Sequence, residues 1–189
     1  MVTSSEKRAA GARTEAGEPV FRKPDETDGI RVWDLVAACP PLDRNSMYCN
    51  VLQCTDFSDT CILAEQDGEA VGWISGYRPP EEPSALFIWQ VAVHPQARGT
   101  GLARRMLLSL INRPDCSDVR HIRTTVASDN EASRALFHSV ARRKNAPIRE
   151  TAGFNEDRHF CGRHDDERLI VIGPFPLGAA RRQDPVSAA

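Results

Sequence analysis

A mixed α/β fold, specifically an α+β domain with a mixed, mostly antiparallel sheet, is predicted for this chain by three observations. Short alternating segments at 61–65 and 70–77 flank Asp67-Gly68, a hairpin signal. A third alternating run at 85–93 feeds directly into a glycine-bearing turn and then an apolar-periodic helix. Strand and helix patterns go on alternating to the end of the ordered sequence, so three or four strands precede the first crossover helix.

Taken in order, residues 21–23 read as a short first strand. Asp28 reads as the cap of a helix carrying Ile30, Trp33, Leu35 and Val36, which Pro40-Pro41 stops. Residues 43–54 read as a second short helix or ordered loop with Met47, Val51 and Leu52 as its apolar face. The hairpin follows, then a proline turn at 79–83 and the strand at 85–93 as the third member of a meander. The helix at 101–112 places Leu102, Met106 and Leu110 on one side. A strand at 122–127, a helix at 130–143 and a last strand at 169–172 complete the set. Residues 1–18 are small, polar and charged, and 177–189 are rich in Ala, Arg, Pro and Ser, so both are expected to be disordered tails around one domain at 19–176. No internal repeat is visible.

At 189 residues, one domain can bury a core without staples. A net charge of −2 with pI near 6.2 argues against a nucleic-acid-binding surface. No apolar run approaches the roughly 18 residues of a membrane span, and no export signal opens the chain, so a cytoplasmic protein with no membrane partner is expected. The six cysteines (Cys39, Cys49, Cys54, Cys61, Cys116, Cys161) lack Cys-x-x-Cys spacing and read as reduced small hydrophobes. None has the surroundings of a catalytic thiol. A metal at His159, Cys161 and His164 is conceivable, but the spacing fits no standard zinc pattern, and no metal is expected.

The segment 91–108 carries the chemistry. Gly99 and Gly101 let the backbone approach a ligand without a Cβ in the way. The first turn of the following helix offers N–H groups without intrahelical partners and a partial positive charge, which suits phosphate oxygens. An ordinary strand-to-helix turn would share part of this pattern. No Lys-Ser or Lys-Thr closes a Walker loop, and a dinucleotide fingerprint would need a third glycine.

The string Gln96-x-x-Gly99-x-Gly101 after alternating valines resembles the pyrophosphate loop of the GNAT superfamily of N-acetyltransferases. The resemblance covers about residues 20–176. It implies a sheet that splays where its two central strands part, with acetyl-CoA as cosubstrate in the opening. The cofactor side would comprise Val91, Ala92 and Val93, whose backbone N–H groups polarise the thioester carbonyl, together with Gln96 and, on the diphosphate, the amides of Arg98, Gly99, Thr100, Gly101, Leu102 and Ala103. Asn130, Ser133, Leu136 and Phe137 match the family pattern Asn-x-x-(Ala/Ser)-x-x-Leu-(Tyr/Phe), which adds Asn130, Ser133 and Phe137; Asn130 also reads as a plain helix cap. Phe137 departs from the tyrosine that many relatives carry, so another group would protonate the leaving thiolate if protonation is needed.

Acyl transfer requires a neutral amine. One with a pKa of ~10.4 costs roughly 4–5 kcal/mol to deprotonate at pH 7, so an acceptor, a water wire or a depressed amine pKa is needed. Two further segments supply candidates. The strings Pro41-Leu42-Asp43-x-Asn45-Ser46-x-Tyr48, Gly72-Trp73-Ile74-Ser75-Gly76-Tyr77, Trp89-Gln90-Val91-Ala92-Val93 and His164-Asp165-x-Glu167 resemble one branch of the superfamily, the diaminobutyrate acetyltransferases of ectoine biosynthesis.

That resemblance implies direct transfer of acetyl to the 4-amino group of L-2,4-diaminobutyrate in a ternary complex. The substrate side would be Asp43, Asn45, Tyr48, Trp89, His164 and Glu167, with His164, Tyr48 (through a water) and Glu167, in that order, as candidates for taking the amine proton. Trp89 suits a core role equally well, because it lies on a central strand. A homodimer is expected by analogy with relatives of this size. Two alternatives stay open: transfer to another amine, such as a polyamine, an ornithine-like metabolite or a protein lysine, and a catalytically silent acetyl-CoA sensor.

Overall fold

The computed structural model describes residues 17–175, so nearly all of both expected tails lies outside the described residues. Gly17 and Glu18, the last two positions of the first tail, touch the domain: Gln66 donates to the Gly17 carbonyl, and Arg105 pairs with Glu18 at 2.6 Å.

Seven strands form one sheet in the order β1-β2-β3-β4-β5-β7-β6. They are β1 (Val20–Arg22), β2 (Ile62–Gln66), β3 (Glu69–Tyr77), β4 (Ala85–Val93), β5 (His121–Ala127), β6 (Ile148–Ala152) and β7 (Glu167–Ile172). Every neighbouring pair is antiparallel except β4 with β5. The expected hairpin joins β2 to β3 through Asp67 (φ 53°) and Gly68 (φ 84°), the left-handed pair that a two-residue turn of this hand needs.

Helices cover both faces. On one side α3 (Leu102–Ile111) and α4 (Glu131–Lys144) bury Met106, Leu107, Leu110, Phe137 and Val140 against Ile74, Leu86, Ile88 and Ile122. On the other, α1 (Gly29–Ala37) and the end of α2 (Met47–Thr55) bury Val32, Leu35, Val36 and Cys54 against Leu63, Trp73 and Ala92. Gly72 lets α3 settle close on β3, since a Cβ there would lie 2.6 Å from Met106 Sδ.

Several local expectations are corrected. Asp28 precedes α1 but makes no cap bond to it. Its buried carboxylate instead accepts from Arg22, Arg31 and the Asp25 N–H, because an acid enclosed there needs charged donors more than a helix end needs a cap. Ile30 is exposed and Trp33 half-buried, with Arg44 stacked 4.1 Å from the Trp33 ring. Helix α2 is turned away from its expected face: it buries Asn50, Gln53 and Cys54, leaves Met47 exposed, and leaves Val51 and Leu52 half-buried. β6 and the short helix α5 (Glu156–Phe160) were not anticipated.

The feature that positions the site is the parting of β4 and β5. Their parallel pairing covers only Ala85–Phe87 against His121–Arg123. Beyond it the buried Thr124 hydroxyl donates to the Ile88 carbonyl at 3.0 Å. From there β4 follows β3 and β5 follows β7, and a wedge opens between them.

Candidate active site

The wedge opens toward the C-terminal ends of β4 and β5, and β4 runs straight into the glycine turn. Gly99 and Gly101 hold φ of 78° and 74°, and nothing lies within 4 Å of where a Gly99 Cβ would be. Gly101 caps α3 without any side-chain bond, and no acidic residue occupies the first turn. The first backbone bond into α3 is Arg105 N–H to Gly101 O, at 3.1 Å. Among the described residues, no acceptor within the chain takes the N–H of Gly99, Thr100, Gly101, Leu102 or Ala103. Five successive donors at a positive helix end are therefore left without a partner among the described residues, an arrangement suited to an anion with several oxygens.

The side chains around the turn brace it. Thr100 Oγ1 donates to Ala97 O at 2.8 Å and Arg98 Nε to Val93 O at 3.1 Å. Gln96 is exposed on the turn before it. Leu102 and Ala92 are buried, whereas Val91, Val93 and Ala103 are half-buried. Asn130 does cap α4, its Oδ1 accepting from Ser133 N–H at 3.0 Å. Phe137 is enclosed in the core beside Val140, so it contributes packing beneath the wedge.

On the opposite side of the sheet, β4 carries a bulge. Gly76 pairs with Ile88 and the adjacent Ser75 with Gln90, which leaves Trp89 as the extra residue. The phase of the strand reverses there: Leu86 and Ile88 enter the α3–α4 core before the bulge, and Val91 and Val93 after it. Trp89 and Gln90 consequently project together on the α1–α2 side. Trp89 is 50% exposed, which excludes the core role, and its ring meets Tyr77 edge-on at 6.5 Å. Gln90 reaches the turn before α2, donating from Nε2 to Asp43 O at 2.9 Å and accepting from Asn45 Nδ2 at 3.4 Å.

His164 and Glu167 arrive from the far side of the wedge. Glu167 opens β7 and pairs with Ala127 at the end of β5, so it lies at the wedge mouth. His164 Nε2 is 3.8 Å from Glu167 Oε1, its Nδ1 meets Asp165 O at 2.8 Å, and its ring packs 4.6 Å from Phe160. The Asp165 carbonyl, and after it the Glu167 and Asp43 carboxylates, hold the His164 pKa above its ordinary value against partial desolvation. Asp43 and His164, far apart in the chain, thus share one electrostatic neighbourhood.

Asp166 Oδ1 fixes the turn by accepting from Glu156 N–H at 2.6 Å and Asn155 Nδ2 at 3.0 Å. Tyr48, in the first turn of α2, is 70% exposed, and no hydrogen bond among the described residues ties it to His164 or Glu167. Gln90, Asp166 and Thr124 were missed by the sequence reading. Gln90 had a signal in its place beside Trp89 in the quoted strand motif, whereas a bulge and a wedge-closing hydroxyl leave none. No cluster of three or more His, Cys, Asp or Glu side chains suited to a metal occurs among the described residues.

Comparison with known proteins agrees with this geometry. The acetyltransferase (GNAT) family profile matches residues 30–141. Over 156 residues the chain is 48% identical to an L-2,4-diaminobutyric acid acetyltransferase of Chromohalobacter salexigens, covering 82% of this chain and 81% of the relative. The corresponding enzyme of Methylotuvimicrobium alcaliphilum is 46% identical over 153 residues, covering 81% and 89%. Among solved structures, the diaminobutyrate acetyltransferase of Paenibacillus lautus, in complex with its substrate L-2,4-diaminobutyric acid and coenzyme A, superimposes with a TM-score of 0.81 at 46% identity, covering 84% of this chain and 96% of that one.

Proposed function

The chain belongs to the acetyltransferase (GNAT) family, alongside the L-2,4-diaminobutyric acid acetyltransferases, and from that premise we propose that it transfers acetyl from acetyl-CoA to the 4-amino group of L-2,4-diaminobutyrate. The observation that carries this reading is the correspondence with the Paenibacillus lautus enzyme in its complex with diaminobutyric acid and coenzyme A. The wedge and the unpartnered amides of Gly99 to Ala103 fit an acyl-CoA diphosphate and its pantetheine arm.

In this reading the thioester carbonyl accepts from backbone N–H groups near Val91 to Val93, which favour the negative charge of the tetrahedral adduct. Asp43 and Glu167 are acceptor-only carboxylates suited to the ammonium groups of the substrate, Asn45 and Tyr48 add polar contacts, and Trp89 walls the short carbon chain. The amine loses its proton to His164, attacks the acetyl carbon directly, and expels the coenzyme thiolate; Tyr48 through a water, then Glu167, rank next as acceptors. The thiolate is a tolerable leaving group without a hydroxyl at Phe137.

The product is N4-acetyl-L-2,4-diaminobutyrate, which places the reaction in ectoine biosynthesis and in the response to osmotic stress. We propose further that residues 19–176 form the working domain, that the protein acts in the cytoplasm, and that it pairs as a homodimer. No helix among the described residues is long and apolar enough to cross a membrane.

The test is thiol release from acetyl-CoA with diaminobutyrate, ornithine, lysine, putrescine and a lysine peptide as acceptors, with NMR to locate the acetyl group. Preference for diaminobutyrate with acetyl on the 4-nitrogen supports the reading. Turnover only of other amines, or coenzyme binding without turnover, overturns it.

A further inference from the structure

We infer that Gln90 is a positioning residue for amine-substrate binding: it holds the Asp43–Asn45 turn against the sheet and so sets where the Asp43 carboxylate stands, without itself touching the reacting atoms. The inference deepens the diaminobutyrate reading and rests on it.

The turn between α1 and α2 has no regular structure to hold it. Both long-range hydrogen bonds that residues 43–45 make among the described residues go to the Gln90 carboxamide, one donated by Nε2 to Asp43 O and one accepted by Oε1 from Asn45 Nδ2. Only a side chain that donates and accepts at once satisfies both. Glutamate would place a second acceptor against the Asp43 carbonyl, and leucine would offer neither bond.

The bulge makes the contact geometrically possible. Simple alternation from Leu86 and Ile88 would turn residue 90 toward α3 and α4, and the extra residue at Trp89 turns it toward the Asp43 segment instead. One backbone irregularity therefore presents Trp89 and secures Asp43 through Gln90. Asn45, placed on the substrate side by the sequence motif, acts in this arrangement as the other half of the clasp.

The experiment is steady-state kinetics in both substrates for Q90L, N45A and the double variant, with thermal melts of each. We expect Q90L to raise KM for diaminobutyrate roughly five- to thirty-fold, with KM for acetyl-CoA within about two-fold of the parent. N45A should shift the same constant in the same direction, and the double variant should be little worse than the poorer single one, because both remove one clasp. An unchanged KM for diaminobutyrate in both single variants, a parallel rise in both KM values, or additive effects would each overturn the inference. If Q90L does not fold, N45A with hydrogen exchange at residues 43–46 decides: faster exchange with a selective KM rise supports the clasp, and neither change refutes it. A parent protein that turns over some other amine sinks the diaminobutyrate reading, while faster exchange at 43–46 in N45A still tests the clasp.

Discussion

His164 and Glu167 stand with Nε2 3.8 Å from Oε1, at the point where the chain enters β7. The Asp165 carbonyl and the two nearby carboxylates, Glu167 and Asp43, raise the imidazole pKa. If His164 takes the amine proton, it must be neutral to do so, and the raised value moves the acid limb of kcat/KM upward in pH. Glu167→Gln should bring that limb back toward the ordinary histidine value near 6.5, and His164→Ala should abolish it with a loss of about 10²–10⁴ in kcat. The linked stability has the opposite dependence: protonated His164 stabilises the fold fully below its ordinary pKa, and the contribution is lost as pH rises through the raised one. An acid limb that survives unchanged in His164→Ala would remove His164 from the proton-accepting role.

The glycine turn predicts a selective defect in the cofactor. Gly99 and Gly101 both lie in the left-handed region, where a non-glycine residue costs about 1–2 kcal/mol. Gly99→Ala has open space around its methyl, so its folding cost should be backbone strain alone, but the methyl would project into the open space that a bound diphosphate would need. KM for acetyl-CoA should rise roughly ten-fold or more while KM for diaminobutyrate stays within about two-fold. Equal increases in both constants would mean that the turn is not the diphosphate cradle.

What the sequence made legible follows physical range. The Asp67-Gly68 hairpin, the β4 strand and the Gly99–Gly101 turn are encoded within a few residues by left-handed turn chemistry and period-two alternation, and they stand close to where they were expected. The α2 face was misread because α2 carries polar Asn50 and Gln53 inward, and hydrophobic periodicity cannot anticipate a buried amide pair that satisfies itself in part, here through a 3.1 Å bond between them. Asp28 was misread because its carboxylate is engaged by Arg22 on β1 and by Arg31 one turn along α1, both of which also pair with Glu65 on β2, a charged network that a helix-cap pattern does not register. The contact of Gln90 with Asp43 depends on the bulge at Trp89, and the place of Glu167 at the wedge mouth on the parting of β4 and β5 after Phe87, which are tertiary outcomes that no local pattern announces.

Asp28 gives a stability prediction. Its carboxylate is 1% exposed and bonds Arg22 at 2.6 Å and Arg31 at 3.0 Å. Burial pushes its pKa up, but the bonds from Arg22, the Asp25 N–H and Arg31 outweigh that and hold it below the ordinary value. A lowered carboxylate contributes stability above its unfolded pKa, about 3.9, and loses it as pH falls through the folded one. Asp28→Ala, which leaves the two guanidinium groups short of a partner, should cost about 3 kcal/mol or more in urea unfolding at pH 7, and the difference from the parent should shrink toward pH 3. A loss under about 1 kcal/mol would show that Glu65 alone suffices to hold the arginines.

The cysteines separate by environment, which yields a labelling prediction that also bears on catalysis. Cys39, Cys54, Cys61 and Cys116 are buried, Cys49 is half-buried and Cys161 exposed. Burial pushes the Cys54 and Cys61 thiols up to about 12 and raises Cys49 and Cys116 as well. The thiolate is the reactive form, so these groups are protected both by access and by ionisation. An aromatic disulfide reagent should therefore find one fast thiol in the native protein, a slower second at Cys49, and four more only on unfolding. Cys161→Ser should delete the fast phase and leave kcat within about two-fold, since direct attack by the amine needs no acetyl-thiol intermediate. Cys161 also sits at φ 52°, followed by Gly162 at 74°, so Cys161→Gly should relieve strain in the turn leading to His164 and raise stability by a few tenths of a kcal/mol, ~0.5 at most. A large loss of kcat in Cys161→Ser with His164 intact would instead point to a covalent acetyl-cysteine route and overturn the ternary-complex reading.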